Sequence, residues 1–208
     1  MYTETIHETE RYRVNLSLDI DGNAPYNDGG TPIIALDFYD HKGGWEAVQI
    51  DQITGYELDS DILAACGRCA AGSGLDIFER WLRVNYGITS LITYRDRHGT
   101  LYISFDPADW RDEMGIDDEY AKTHPVADMT EWIAYVNGDV WGLLIEEKVE
   151  WSSPEGLTMS TWEHVDSLWG LYGREYAEAT ALEEFGTFIT DIAAVNEAIL
   201  PDVIGVPV

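Results

Sequence analysis

Strict alternation opens the chain's regular structure. Between Arg13 and Ile20, Val14, Leu16, Leu18 and Ile20 take one parity and Asn15, Ser17 and Asp19 the other, which predicts a half-buried strand. Asp21 to Pro32 is rich in Gly, Asn, Asp and Pro and reads as a long loop. A second strand follows over Pro32–Tyr39, a turn over His41–Gly44, and a short third strand over Trp45–Ile50. The period then changes. Asp59 or Ser60 caps a helix reaching about Ala70, with Ile62, Leu63, Cys66 and Cys69 on one side and Gly72 and Gly74 after it. Leu75–Tyr86 carries a stripe of Leu75, Phe78, Trp81 and Leu82, stopped by Gly87.

Thr89–Arg95 and Thr100–Phe105 flank Asp96–Gly99, a hairpin signature. Met129, Trp132, Ile133 and Val136 recur at helical spacing up to Gly138. Val140–Trp151 and Trp162–Trp169 read as a hairpin around a Ser/Pro/Gly loop. From Arg174 the tail is helical, interrupted near Gly186 and ending before Pro201. The fold class expected is α+β, with antiparallel sheet elements and at least three substantial helices. The expected organisation is one compact domain over residues 1–208, with Asp106–Pro125 as a linker or lid and the place for any sub-boundary.

Composition changes this picture in one respect. The chain has 39 acidic and 12 basic residues, a net charge of −27, yet 8 Trp, 12 Tyr and 45% hydrophobic residues. An acidic disordered tail lacks aromatics, so this chain folds despite its self-repulsion. The charge is uneven: residues 1–96 carry 16 acidic and 7 basic groups, residues 97–208 carry 23 and 5. The later half is the expected contact surface. Low Lys content also fits a salt-adapted surface, although such a surface does not need the large aromatics. No apolar run approaches a membrane span, no secretory leader is evident, and two cysteines suit a reducing compartment, so a cytoplasmic location is expected.

The chemistry-bearing motifs are weak. Cys66-x-x-Cys69 has no second ligand pair and lies within a predicted helix, so buried small hydrophobes are expected there and no cofactor is. Asp37, Asp40 and His41 cluster at a strand end, and His164 with Asp166 on another strand; with Asp139 they define the rival reading, a metal-assisted hydrolase. A non-enzymatic structural or accessory protein is a third. There is no phosphate-binding loop, dinucleotide glycine fingerprint, zinc-protease helix motif, nucleophile elbow or calcium-loop pattern. Without a basic patch, direct nucleic-acid binding is not expected.

The acidic groups themselves make the stronger case. A folded protein imitates the field of duplex DNA only if its carboxylates ride on rigid elements. Asp112, Glu113, Asp117, Asp118 and Glu119 form a dense knot, and Glu175, Glu178, Glu183 and Glu184 follow one helix. Asp128 with Glu131 adds a further helical pair. The expected partner is a basic nucleic-acid-binding protein whose phosphate-holding Arg and Lys side chains these groups engage.

Two blocks carry a family resemblance. "EWIAYVNGDVWG" (Glu131–Gly142) resembles the Tyr/Trp-x-x-Tyr-x-x-Gly-Asp-Val-Tyr/Trp-Gly signature of a family of small acidic phage and mobile-element proteins, and "VDSLWGLYG" (Val165–Gly173) resembles its Val-Asp-Ser-Cys-Trp-Gly-Phe-Tyr-Gly block. "LITYRDRHGTLYIS" (Leu91–Ser104) is similar to its strand–turn–strand, so the likeness covers roughly residues 88–186, with a weaker echo around Gly29–Lys42. It departs where Leu168 replaces the Cys and where the family's Pro-Trp-Asp segment becomes Asp106–Gly115, which argues against cysteine chemistry. The resemblance implies a phage context, where acidic proteins disarm host defences of the restriction or CRISPR type. Read physically, Val165, Leu168, Trp169, Leu171 and Tyr172 are expected to form a core strand ending at a Gly170/Gly173 turn, which makes the block fold-defining.

Overall fold

The computed structural model describes residues 2–26, 29–39, 44–50, 54–70 and 74–199. In chain order these form β1 (Thr3–Glu8), β2 (Tyr12–Leu18), β3 (Ile33–Tyr39), β4 (Gly44–Gln49), α1 (Ser60–Ala70), α2 (Leu75–Asn85), β5 (Leu91–Arg95) and β6 (Leu101–Phe105). There follow α3 (Ala108–Met114), α4 (Asp118–Ala121), α5 (His124–Val136), β7 (Val140–Ser152), β8 (Thr158–Tyr172) and α6 (Arg174–Ile199). With two antiparallel four-stranded sheets and several helices, the fold is α+β. The chain divides into two compact units: Met1–Gly22 with Gly138–Val208, and Asn23–Asn137. The Asp106–Pro125 stretch lies wholly inside the second unit.

The second unit is built on a sheet of order β4-β3-β6-β5. Every residue of β6 is buried, because this central strand is covered on both faces. Ile34, Leu36, Leu101, Ile103 and Phe105 share one core with Ile62, Cys66, Phe78, Leu82 and Trp110 from α1, α2 and α3. Ile33 and Tyr102, one residue out of phase, meet Met129 and Trp132 of α5 on the other face. The linker or lid expected over Asp106–Pro125 is instead packed structure. Trp110 is fully buried and its indole Nε1 donates to the Gly30 carbonyl at 3.1 Å. Gly115 ends α3 in the left-handed conformation at φ 65°.

The first unit lays α6 across a sheet of order β1-β2-β7-β8. Ala177, Ala181 and Phe185 pack on Val14, Leu16, Leu143, Ile145 and Leu171. The small alanines let the helix approach closely, and Phe188, Ile189 and Ile192 extend the contact past Gly186. That packing carries α6 unbroken through the glycine, where the sequence predicts an interruption; an interior Gly costs only about 1 kcal/mol. The strand β1 escapes sequence patterning because TETIHE is nearly all polar; it exists through its antiparallel pairing with β2.

Two expectations for this sheet need correction. On β2 the polar parity is buried as well: Asn15 is held between Thr5 (2.7 Å) and Glu146 (2.6 Å), while Ile20 lies beyond the strand and is exposed. On β8 only Leu171 is buried; Val165, Leu168 and Trp169 are each more than 40% exposed. Since β8 is an edge strand, its apolar residues lack a second neighbour to cover them. Gly170, at φ 79°, is not a terminal turn but a bulge inside β8, opposite the Trp141–Gly142 step.

Candidate functional site

All nine carboxylates singled out by sequence are exposed, and they fall into two groups, one on each unit. Asp112 and Glu113 occupy the end of α3, and Asp118 and Glu119 open α4. Within this knot the groups are not equivalent. The Asp117 carboxylate caps α4, accepting from the amides of Glu119 (3.0 Å) and Tyr120 (2.8 Å). Asp118 meets Arg111 Nε at 3.2 Å. Asp112, Glu113 and Glu119 are in no ion pair among the described residues and are the groups left to face a partner.

Arg111 ties this knot to the interior. Its Nη1 meets the fully buried Asp106 at 2.8 Å, and Asp106 also accepts from Thr89 N (3.0 Å), Thr89 Oγ1 (2.5 Å) and Ser90 N (2.7 Å). The only Arg of the acidic stretch is thus consumed inside. Of the pair Asp128 and Glu131, only Glu131 reaches the surface. Asp128 is buried and accepts from Thr31 N and Thr31 Oγ1, both at 2.7 Å, which fixes α5 to the loop before β3. Burial, then the neighbouring Asp128 charge, raises the Glu131 carboxyl above its ordinary value.

In the first unit, Glu175, Glu178, Glu183 and Glu184 all lie on α6. That unit carries 19 acidic and only 4 basic residues. Its three arginines are spent internally, pairing Arg11 with Glu147 (2.6 Å), Arg13 with Glu146 (2.6 Å) and Arg174 with Glu4 (2.8 Å). The fourth basic group, Lys148, sits over the Trp162 ring, 6.0 Å from its centroid. No basic residue is left to break up the carboxylate field of α6.

The hydrolase residues do not converge. Asp40 and His41 lie outside the described residues. Asp37 is exposed on β3 and accepts from Thr100 Oγ1 at 2.5 Å. Asp139 belongs to the other unit, where it accepts from Trp141 Nε1 (2.5 Å) and from the Arg174 amide at the start of α6 (3.3 Å). His164 and Asp166 point to opposite faces of β8, because the bulge at Val165 places them opposite Glu146 and Ile145. Among the described residues no group of three or more His, Cys, Asp or Glu side chains is gathered as a metal would need. Cys66 is buried, and desolvation pushes its thiol up to about 12, so it packs as a small hydrophobe.

Sequence reasoning missed a second feature of the first unit. Beyond the end of β2, β7 and β8 continue as a two-stranded arm whose tip exposes Trp151, Leu157 and Met159. Against the opposite end of β8, a cleft of about 170 Å³ opens between β8 and α6. Ile145, Leu168 and Phe188 line it together with Asp166, Glu184 and Asp191. The signal in sequence was the row Glu184, Thr187 and Asp191 beside Phe188 at helical spacing. No helix among the described residues is long and apolar enough to cross a membrane. Comparison with protein-family models, curated proteins and solved structures found no match to this chain.

Proposed function

We propose that this chain is a phage-encoded inhibitor of a host nucleic-acid-binding defence protein, of the anti-restriction or anti-CRISPR type, acting as an acidic mimic of nucleic acid. The observation that carries the reading is the separation of charge: acidic groups stand exposed on helices, while the arginines of the first unit and Arg111 of the second are locked into internal pairs. On the first unit, a partner with phosphate-binding Arg and Lys side chains meets a strongly negative field. The phage context comes from the motif resemblance.

Charge density limits the form of the mimicry. From Glu175 to Asp191 the helix rises about 24 Å and presents five carboxylates, roughly one per 6 Å, against one per ~1.7 Å of duplex axis. α6 alone is therefore sparser than DNA. The carboxylates of the adjoining sheet that stand outside ion pairs among the described residues, Glu150, Glu163 and Asp166, are needed to raise the field.

The test is capture of host proteins on immobilised chain at low and high salt. Recovery of a basic DNA- or RNA-binding protein at low salt, released as salt rises, supports the reading. Glu175→Gln with Glu178→Gln, Glu183→Gln and Glu184→Gln should weaken that capture. Capture that ignores both salt and these substitutions would refute electrostatic mimicry.

A further inference from the structure

The strand β8 is fifteen residues long and ends the order β1-β2-β7-β8; among the described residues no strand lies along the outer side of its Thr158–Leu171 stretch. Natural edges of this length are blunted by charged side chains (Lys above all), Pro, bulges, shortness or a covering element. β8 contains neither Lys nor Pro, and nearly all its residues are at least partly exposed. Its bulges, at Val165 and Gly170, leave Thr158–His164 in regular register with β7. Such an edge is a template for strand addition.

The cleft beside it restricts what can be added. At about 170 Å³ it is smaller than the roughly 300–1,000 Å³ typical of small-molecule sites and has the scale of one side chain. Its lining mixes the apolar Leu143, Ile145, Leu168 and Phe188 with three carboxylates, Asp166, Glu184 and Asp191, that belong to no ion pair among the described residues. No Lys or Arg among the described residues lines it. A long cationic side chain satisfies both parts, laying its methylenes on Leu168 and Phe188 and its charge among the carboxylates. A second copy of the chain fits poorly, since its β8 carries no Lys or Arg to seat among Asp166, Glu184 and Asp191.

We propose that the free edge of β8 receives an extended basic segment of the partner by strand addition, with one Lys or Arg side chain seated in the cleft formed with α6. This rests on the mimicry reading for the basic character of the partner, and adds backbone pairing to the electrostatic attraction.

The test uses the full chain and a fluorescent peptide of about nine residues alternating Lys and Val, long enough for one strand. A second peptide of identical sequence carries N-methyl groups on alternate amides, which keeps its charge and removes strand hydrogen bonds. Anisotropy at about 150 mM salt should show the methylated peptide weaker by about tenfold or more. Asp166→Asn/Glu184→Gln/Asp191→Asn should weaken the unmodified peptide by about tenfold, whereas the equal-charge change Glu57→Gln/Asp61→Asn/Asp76→Asn, at exposed carboxylates of the second unit, moves it less than about twofold. Amide exchange over residues 158–172 should slow on binding. Equal affinity for both peptides, or equal loss in both triple variants, means diffuse attraction and overturns the proposal. So does a dimer in sedimentation whose β8 amides are already protected without peptide. If host capture proves salt-sensitive but indifferent to the cleft variant, mimicry stands and strand addition fails. If the peptide binds as described and no basic host protein is captured, mimicry fails alone.

Discussion

Removing the Asp106 carboxylate should unfold the second unit under conditions the native chain withstands. That group is fully buried and accepts four hydrogen bonds, from two backbone amides, one hydroxyl and the Arg111 guanidinium. In Asp106→Ala those donors lose their acceptor inside the protein, and Arg111 becomes a buried cation without its buried counter-ion. Arg111 keeps the carbonyls of Gly87 and Asp106, each at 2.9 Å, and the exposed Asp118 at 3.2 Å. The loss is therefore placed at the lower end of the 3–5 kcal/mol seen for broken buried pairs, about 3 kcal/mol. At a urea dependence of roughly 1–3 kcal/mol per molar, the midpoint falls by about 1–3 M. Amide exchange of β6 follows this unit specifically, and urea titration gives the midpoint. Asp106→Asn with Arg111→Gln, which removes both charges, should recover part of the loss. A cost below about 1 kcal/mol for Asp106→Ala would refute the buried-pair reasoning and return residues 106–125 to a loosely held segment.

Four further outcomes follow from the same coordinates. A Cβ on Gly142 would overlap the Trp169 ring, so Gly142→Ala should displace that indole, cost about 1–3 kcal/mol and shift Trp fluorescence; an unchanged spectrum and melt would contradict the packing. Nothing lies within 4 Å of a Cβ at Gly186, so Gly186→Ala should stabilise the first unit by about 0.5–1 kcal/mol in thermal melts. Because burial and Asp128 raise the Glu131 carboxyl, the native chain holds that proton to higher pH than the unfolded chain, and the associated stability is lost as pH rises through the ordinary carboxylate range towards the raised value. Glu131→Gln should then stabilise at neutral pH and make no difference near about pH 3; a gain equal at both would dismiss the effect. Finally, native Cys66 should resist thiol alkylation at about pH 8, as read by mass spectrometry, since a thiol pushed up to about 12 is almost wholly protonated there.

What the sequence determined by itself is what depends on local period and on counting. The β5–β6 hairpin, α1, α2 and α5 follow from residues whose hydrophobic spacing and glycine stops agree, and the α+β class follows from them. The exposure of all nine carboxylates follows from the cost of burying unpaired charge. Tertiary structure decided the rest, wherever a distant partner outweighs the local pattern. TETIHE becomes a strand only because β2 offers it a ladder, and α6 crosses Gly186 only because the sheet holds Phe185 and Phe188 on either side of it. In the acidic stretch, Trp110 and Arg111 reach Gly30, Gly87 and Asp106, and those contacts turn a charged segment into a helix anchored in the core by one face. Asp128 looked like Glu131 in sequence, yet Thr31, ninety-seven residues earlier, takes it out of the surface. The motif Val165–Gly173 reads as core because its side chains are large and apolar. Only the strand order, which leaves β8 at the edge, reveals that most of them face outwards.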